Sequence, residues 1–141
     1  GCFAGNSLEI FECVEIMQGK SKLVAGTDMY ESTRELSLQL AAHGLFLAKK
    51  TQTLKEAYAL AKHLLETGAA MKAFEKMCEY QGPARLDQLP VADFKTTVTA
   101  QASGCVTSIQ TEKLGLALID LGAGRRKTDD KTDRTGHRGR G

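Results

Sequence analysis

Apolar residues in the first half of the chain recur every three or four positions, which is the spacing of amphipathic helices. The first predicted helix opens at Asn6, a good N-cap residue, and Glu9 three positions later completes a capping-box pattern. It ends at Gly19, a residue type common at helix C-termini. Residues 20–30 then form a predicted polar loop. The apolar stripe of this helix consists of Leu8, Phe11, Val14 and Met17.

The same spacing predicts three more helices before position 83. The second covers residues 32–49, and its apolar positions are Leu36, Leu40, Leu45, Leu47 and Ala48. The third starts after Thr53, has an acid at Glu56 for a capping box, and ends at Gly68. Its expected buried face consists of Ala57, Leu60, Ala61, Leu64 and Leu65. The fourth, short helix stops at Gly82 and carries Met71, Phe74, Met77 and Cys78.

The pattern changes after position 83. Residues 84–93 have the composition of a linker. Two runs rich in β-branched residues, 94–100 and 105–110, predict a hairpin or a strand–loop–strand unit. A fifth helix, with Thr111 as its expected cap, stops at Gly122 because glycine ends helices readily. The chain is therefore expected to be four helices followed by an incomplete α+β unit.

The formal net charge of +2 is unevenly distributed. Residues 125–141 contain seven Lys or Arg against three Asp, a net charge of +4, which leaves −2 for the rest of the chain. This tail has no aliphatic or aromatic residue, so it cannot bury apolar surface and is expected to be disordered. The basic charge thus belongs to the tail, and the folded part gives no signal for binding nucleic acid.

The four cysteines, Cys2, Cys13, Cys78 and Cys105, are scattered and form no CxxC pair. This distribution argues against a disulfide framework and against a structural zinc site. Buried free thiols in a reducing cytoplasm are the favoured interpretation, with Cys13 and Cys78 on apolar helix faces. No apolar run reaches the roughly 18 residues that a membrane-spanning helix needs, so no membrane association is expected.

Five segments, taken in order, resemble the C-terminal portion of thymidine phosphorylase and the related pyrimidine nucleoside phosphorylases. The segments read "GNSLEIFECV" from Gly5, "TGAAMKAFEKMCEYQGP" from Thr67, "LPVA" from Leu89, "GCVTSI" from Gly104, and "LGLALIDLGAGRRKTDDKTD" from Leu114. Each segment alone is a weak signal, but five in order with plausible spacing are fairly specific. They extend over nearly the whole chain, to about Asp133. The final ten residues depart from the family pattern, which suggests truncation or an out-of-frame tail.

The resemblance implies an α/β fold, α+β within this chain. Residues 1–83 would be the helical C-terminal part of the large α/β domain, and 84–93 a linker. Residues 94–124 would form the start of the small, hammerhead-like C-terminal domain, and residues 125–141 would be the disordered tail. The implied reaction is phosphate-dependent cleavage of thymidine or uridine to the free base and (deoxy)ribose 1-phosphate.

The family's phosphate loop and base-binding residues lie upstream of the segment that begins at Gly5. No catalytic or substrate-binding residue is therefore assigned to this chain, and the chain alone is expected to be inactive. The resemblance also implies a cytoplasmic homodimer as the complete enzyme. Inorganic phosphate would be its co-substrate, and no organic cofactor, membrane or nucleic acid is expected.

One site is carried over from the family by position: a potassium or calcium-like ion. Its ligands would include the backbone carbonyl of Phe3 and the carboxylate of Glu12, because oxygen ligands suit hard cations. A further carbonyl would belong to the residue before Gly1, so this chain alone is not expected to bind the ion measurably. Glu9 is interpreted as a capping residue, and the glycines of 122–126 as a helix stop rather than an anion loop.

Two alternatives stay open at this stage. A non-enzymatic helical module that binds a protein or RNA through a basic tail would equally explain apolar helix faces that need a partner. Anthranilate phosphoribosyltransferase shares the overall architecture implied by the resemblance. It ranks low because it lacks the unit formed by the last three of the five segments.

Overall fold

A computed structural model describes residues 2–82 and 86–121 of the chain. Over these residues the fold comprises five helices and one two-stranded antiparallel sheet, which confirms the α+β class. In chain order the elements are α1 (Asn6–Met17), β1 (Leu23–Val24), β2 (Thr27–Asp28), α2 (Glu31–Leu47), α3 (Leu54–Glu66), α4 (Ala69–Gln81), a single 3₁₀ turn (Leu86–Gln88) and α5 (Thr111–Asp120).

The chain divides into two units. The first comprises Gly1–Ala4 and Glu9–Gln88, and the second comprises Gly5–Leu8 and Leu89–Gly141. Within the second unit, the Ser7 hydroxyl donates a hydrogen bond of 2.9 Å to the Pro90 carbonyl, which fastens the start of α1 to the segment after the 3₁₀ turn. The domain limits expected from the sequence stay a prediction, and the expected tail at 125–141 lies outside the described residues.

Both ends of α3 follow the predicted local signals. The Glu56 N–H donates to Thr53 Oγ1 and the Thr53 N–H donates to Glu56 Oε2, each at 3.2 Å, so the capping box is confirmed. At the other end Gly68 adopts a positive φ of 74°. This left-handed conformation is accessible to glycine at little cost, which is why the helix ends there.

Helix α1 also ends where predicted. Gly19 has a φ of 73°, its N–H donates to the Ile16 carbonyl, and the Lys20 N–H donates to the Glu15 carbonyl. These two bonds form a Schellman motif, in which a left-handed glycine closes the last turn. The start differs slightly from the prediction, because Asn6 is itself the first helical residue, with a φ of 45°.

The segment expected to be a polar loop at 20–30 contains a short hairpin. β1 and β2 pair Leu23 with Asp28 and Val24 with Thr27. The two turn residues, Ala25 and Gly26, have φ values of 48° and 82°. Positive φ at both central positions is the signature of a type I′ turn, which matches the twist of paired strands. The loop prediction was wrong here, since Ala-Gly is a weaker turn signal than Asn-Gly.

The strands predicted at 94–100 and 105–110 are wrong for the described structure, which has no strand between residues 91 and 110. Their β-branched residues remain largely in solvent, with Val98 92% exposed. A β-branched run becomes a strand only when another strand edge pairs with it and one of its faces is covered. The fifth helix is confirmed, but Gln110 rather than Thr111 is its N-cap, and its expected stop at Gly122 lies outside the described residues.

Small side chains bring two helices together in the described core. Helix α2 packs against α3, and Ala42 of α2 and Ala57 and Ala61 of α3 are buried. Small residues allow two helix backbones to approach closely and still exclude water. The buried hydrophobic residues of the described chain are Val14, Ile16, Tyr30, Leu38, Ala42, Ala57 and Ala61.

The apolar residues of α2 lie in different environments: Leu38 and Ala42 are buried, whereas Leu36, Leu40 and Leu47 are exposed. The predicted burial of Cys13 was wrong. Cys13 is exposed, because α1 instead buries its neighbours Glu12 and Val14. All four cysteines are free, as expected, but Cys105 is also exposed. No helix among the described residues is long and apolar enough to cross a membrane.

Candidate functional site

The Glu12 carboxylate is the most deeply buried acidic group among the described residues, with 3% of its surface exposed. Its Oε1 accepts hydrogen bonds from the Cys2 N–H at 3.3 Å and from the Thr33 hydroxyl at 3.1 Å. The Cys2 thiol adds a weak contact at 4.0 Å. The carboxylate therefore joins three parts of the chain: the segment before α1, the middle of α1 and the first turn of α2.

Phe3 is the other residue of the predicted ion site and directly follows Cys2. Its position is fixed by contacts of its aromatic ring. The ring lies 6.0 Å from the Phe11 ring in an edge-on arrangement and 6.5 Å from the Tyr30 ring. The Lys22 ammonium lies 4.2 Å from the centre of the Phe3 ring. Edge-on aromatic pairs and cation–π contacts both fix ring orientation, so the backbone beside Glu12 is anchored on two sides.

Tyr30, the residue just before α2, lies beside Phe3. It is buried, and its hydroxyl donates a hydrogen bond of 3.3 Å to Glu15 Oε2, while Lys20 pairs with Glu15 Oε1 at 2.6 Å. Burial, reinforced by the negative charge of Glu15, raises the pKa of Tyr30 to about 12. The phenol therefore stays protonated near neutral pH and acts as a hydrogen-bond donor.

Asp28 fixes the hairpin to the start of α2. Its Oδ1 accepts from the backbone N–H groups of Lys22 and Tyr30, each at 3.0 Å, and its Oδ2 accepts from Arg34 at 2.9 Å. Arg34 also donates to the Lys20 carbonyl at 2.8 Å. The hydrogen bond from Arg34, assisted by the two backbone donors, holds the pKa of Asp28 well below its usual range.

This arrangement partly fits the ion site expected from the sequence. Glu12 is a buried oxygen ligand, and each hydrogen bond that the described residues give it comes from a neutral donor. A buried carboxylate without a positive neighbour is costly, so a cation beside it would be stabilising. However, no group of three or more His, Cys, Asp or Glu side chains suitable for a metal occurs among the described residues. Ligation by Glu12 and Phe3 stays a prediction.

Other residues considered at the sequence level do not converge on this site. Glu9 is exposed, and so are His43 and His63, which lie on two different helices. Residues 122–126, interpreted as a helix stop, lie outside the described chain. The sequence reasoning missed Thr33 and Tyr30, because no local pattern links the start of the second helix to the middle of the first.

Comparison with known proteins identifies the family of this chain. A family model described as the pyrimidine nucleoside phosphorylase C-terminal domain matches residues 105–136. The pyrimidine-nucleoside phosphorylase of Staphylococcus haemolyticus (strain JCSC1435) is 32% identical over 134 residues, which cover 92% of this chain and 29% of that protein. The enzyme of the same name from Bacillus subtilis (strain 168) is 32% identical over 138 residues, 94% of this chain and 30% of the relative.

This chain belongs to the pyrimidine nucleoside phosphorylase family. The family resemblance stated from the sequence is thereby confirmed. The chain spans about 30% of the length of the curated relatives that it matches. The match to the family's C-terminal domain includes the whole of α5, whereas Glu12 lies outside the residues that this family model matches.

An open groove of about 740 Å³ lies in the first unit of this phosphorylase-family chain. Val14, Met71 and Cys78 line its apolar part. The charged residues that line it in the described part of the chain are Glu75, Glu79 and Asp87, all acidic. An acidic lining repels phosphate, so the described lining does not favour phosphate binding.

Proposed function

We propose that this chain is part of a pyrimidine nucleoside phosphorylase that cleaves thymidine or uridine with inorganic phosphate. The products are the free base and (deoxy)ribose 1-phosphate, which makes the complete enzyme a pentosyltransferase. The observation that carries the proposal is the alignment of 92% of the chain with one such enzyme and 94% with another. We further propose that the complete enzyme is a cytoplasmic homodimer.

The chemistry assigns this part of the enzyme a supporting role. In phosphorolysis a phosphate oxygen forms a bond to the anomeric carbon, and the bond from that carbon to the base breaks, so its electron pair leaves with the base. The enzyme must hold the phosphate with positive or N–H groups and donate hydrogen bonds to the departing base. The groove beside Glu75 and the buried Glu12 carboxylate carry negative charge instead, which favours a scaffold role for this part of the enzyme.

Activity measurements on purified protein test this proposal. The chain alone, incubated with thymidine and phosphate, is expected to release no thymine above background. Co-expressed with the part of the B. subtilis relative outside the matched stretch, it is expected to give a complex that releases thymine only when phosphate is present. The relative's part expressed alone is the control. Phosphate-dependent thymine release by the isolated chain would contradict the scaffold role.

We also propose that a potassium or calcium-like ion binds in the complete enzyme, with the Glu12 carboxylate and the Phe3 carbonyl among its ligands. The buried carboxylate and the anchored Phe3 segment support this proposal. Such an ion would neutralise Glu12 and hold the segment before α1. In the co-expressed complex, Glu12→Gln should abolish the rise in melting temperature caused by KCl or CaCl₂ over choline chloride. Glu9→Gln, an exposed neighbour on the same helix, should leave it unchanged.

A further inference from the structure

The two oxygens of the Glu12 carboxylate have different surroundings in the described part of the chain. Oε1 accepts the Cys2 N–H at 3.3 Å and the Thr33 hydroxyl at 3.1 Å, and the Cys2 thiol approaches the same oxygen at 4.0 Å. None of the hydrogen bonds that the described residues donate to Glu12 goes to Oε2. An ionised carboxylate oxygen without a donor keeps its lone pairs for a cation, so Oε2 is the oxygen that an ion would use.

Thr33 holds the carboxylate from a rigid part of the chain. It is half-buried in the first turn of α2. The residues on both sides of it are tied to Asp28, to which the Tyr30 N–H donates at 3.0 Å and the Arg34 guanidinium at 2.9 Å. The Arg34 N–H also donates to the Tyr30 carbonyl at 2.9 Å. A hydroxyl on a turn fixed in this way restricts the rotation of the glutamate that it bonds.

The Cys2 bond connects the same carboxylate oxygen to the second proposed ligand. Cys2 directly precedes Phe3, whose carbonyl is the other group proposed above to bind the ion. Glu12 Oε1 is therefore the point at which the start of α2 and the Phe3 segment are joined. Both donors are uncharged, so they orient the carboxylate without neutralising it.

We propose that Thr33 is a positioning residue for a cation at Glu12. Its hydroxyl, together with the Cys2 N–H, occupies Oε1 and leaves Oε2 to the ion. This inference rests on the ion site proposed above and goes beyond it, because it makes the affinity for the ion depend on the first turn of α2. Groups that hydrogen-bond a metal ligand typically contribute about ten- to a hundredfold to metal affinity.

Removal of the Thr33 hydroxyl tests this inference. The full chain is co-expressed with the part of the B. subtilis relative outside the matched stretch. The melting temperature of the complex is recorded against KCl or CaCl₂, with the ionic strength held constant by choline chloride. Thr33→Val should raise the cation concentration that gives half of the melting-temperature rise by about tenfold or more. Thr33→Ser keeps a hydroxyl and should restore the response.

Thr67→Val is the matched control, because the Thr67 hydroxyl bonds the His63 carbonyl of its own helix. It should leave the half-maximal cation concentration unchanged. Circular dichroism checks that each variant retains its helices. If Thr33→Val does not fold, Thr33→Ala removes the same hydroxyl with a residue of higher helix propensity.

A purely structural role for Thr33 gives a different result. Thr33→Val would then lower the melting temperature equally in choline, potassium and calcium salts, with the half-maximal concentration unchanged, and this inference alone would be overturned. An equal shift for Thr33→Ser would also overturn it, because the hydroxyl would not be the cause.

Two further outcomes separate this inference from the proposed function. The lack of any cation-dependent rise in the unmodified complex would reject the ion site and the role of Thr33 together. A cation response that depends on Thr33, in a complex without phosphorolysis, would leave this inference standing and reject the proposed activity.

Discussion

The burial of Glu12 is the feature at the scale of single residues that most constrains this protein. The carboxylate is held by neutral donors from two other segments, Cys2 and Thr33. If the buried Glu12 carboxylate loses one of these donors, it remains out of water without a compensating hydrogen bond. Removing either donor should therefore lower the free energy of unfolding by more than the loss of an exposed hydrogen bond would. Thr33 therefore fixes α2 to α1 whether or not an ion is present.

Replacing Thr33 by Val should lower the free energy of unfolding by about 1 to 2 kcal/mol, because Glu12 loses one of its donors. Urea unfolding followed by circular dichroism measures the change. Thr67→Val is the matched control, since the Thr67 hydroxyl bonds the His63 carbonyl of its own helix and is exposed. It should change stability by less than about 0.5 kcal/mol. Equal losses in the two variants would contradict the role given to Thr33.

The C-terminus of α2 contains a residue in an unfavourable conformation. Lys49 has a φ of 55° in a Schellman motif, in which the Lys50 N–H bonds the Leu45 carbonyl. The left-handed region costs a non-glycine residue about 1 kcal/mol. Lys49→Gly should therefore raise the free energy of unfolding by about 0.5 to 1 kcal/mol in urea titrations. Lys50→Gly, which removes a similar charge without relieving strain, should give no gain.

At the scale of elements, α3 has a complete N-terminal cap, whereas α5 has no side-chain cap bond. Thr53→Ala should destabilise the protein by about 1 kcal/mol, because it leaves the Glu56 N–H without its acceptor. Thr111→Ala at the start of α5 should cost only a few tenths of a kcal/mol. Thermal unfolding of both variants tests the contrast, and a larger loss for Thr111→Ala would show that the cap assignments are reversed.

The hairpin and α2 are joined through Asp28, and this connection should depend on pH. The folded-state pKa of Asp28 is lowered by Arg34, so the ionised form stabilises the fold above the unfolded-state pKa of about 4. This stabilisation should disappear progressively as the pH falls below about 4. Urea unfolding from pH 7 to pH 2 should show a smaller acid-dependent loss for Asp28→Asn than for the unmodified chain. Parallel curves would refute the linkage.

At the scale of the whole molecule, the described chain leaves many large apolar side chains in solvent. These include Leu36, Leu40 and Leu47 of α2 and Val91, Phe94, Val98, Val106 and Ile109 after the 3₁₀ turn. Such exposure is what we expect if the chain is part of a longer phosphorylase, as proposed above.

The isolated chain should therefore bind a hydrophobic dye such as anilinonaphthalene sulfonate strongly. Co-expression with the remaining part of the B. subtilis relative should reduce dye fluorescence per chain, because the apolar surfaces become covered. In the isolated chain, Leu40→Glu should lower the fluorescence more than Ser37→Glu does. Unchanged fluorescence in the complex would show that these surfaces stay in water in the assembled protein.

The sequence by itself determined the existence and most of the ends of the helices. The signals at Thr53, Gly19 and Gly68 were sufficient because capping and left-handed glycines involve residues only a few positions apart. The sequence also identified the family, because five segments in the family's order resemble it. The hairpin at Ala25 was missed because its turn sequence lacks a strong local signal.

Tertiary structure alone decided which faces are buried and which groups meet. Glu12 and Thr33 are 21 positions apart, so only the packing of α2 beside α1 brings them together. The pattern of α2 offers two apolar sides, and spacing cannot say which one meets α3. Strands at 94–110 likewise depend on a pairing partner rather than on β-branched residues alone. Whether a side chain is buried depends on the residues that surround it. Those residues are brought together by the tertiary fold and cannot be identified from the spacing of apolar residues along the sequence.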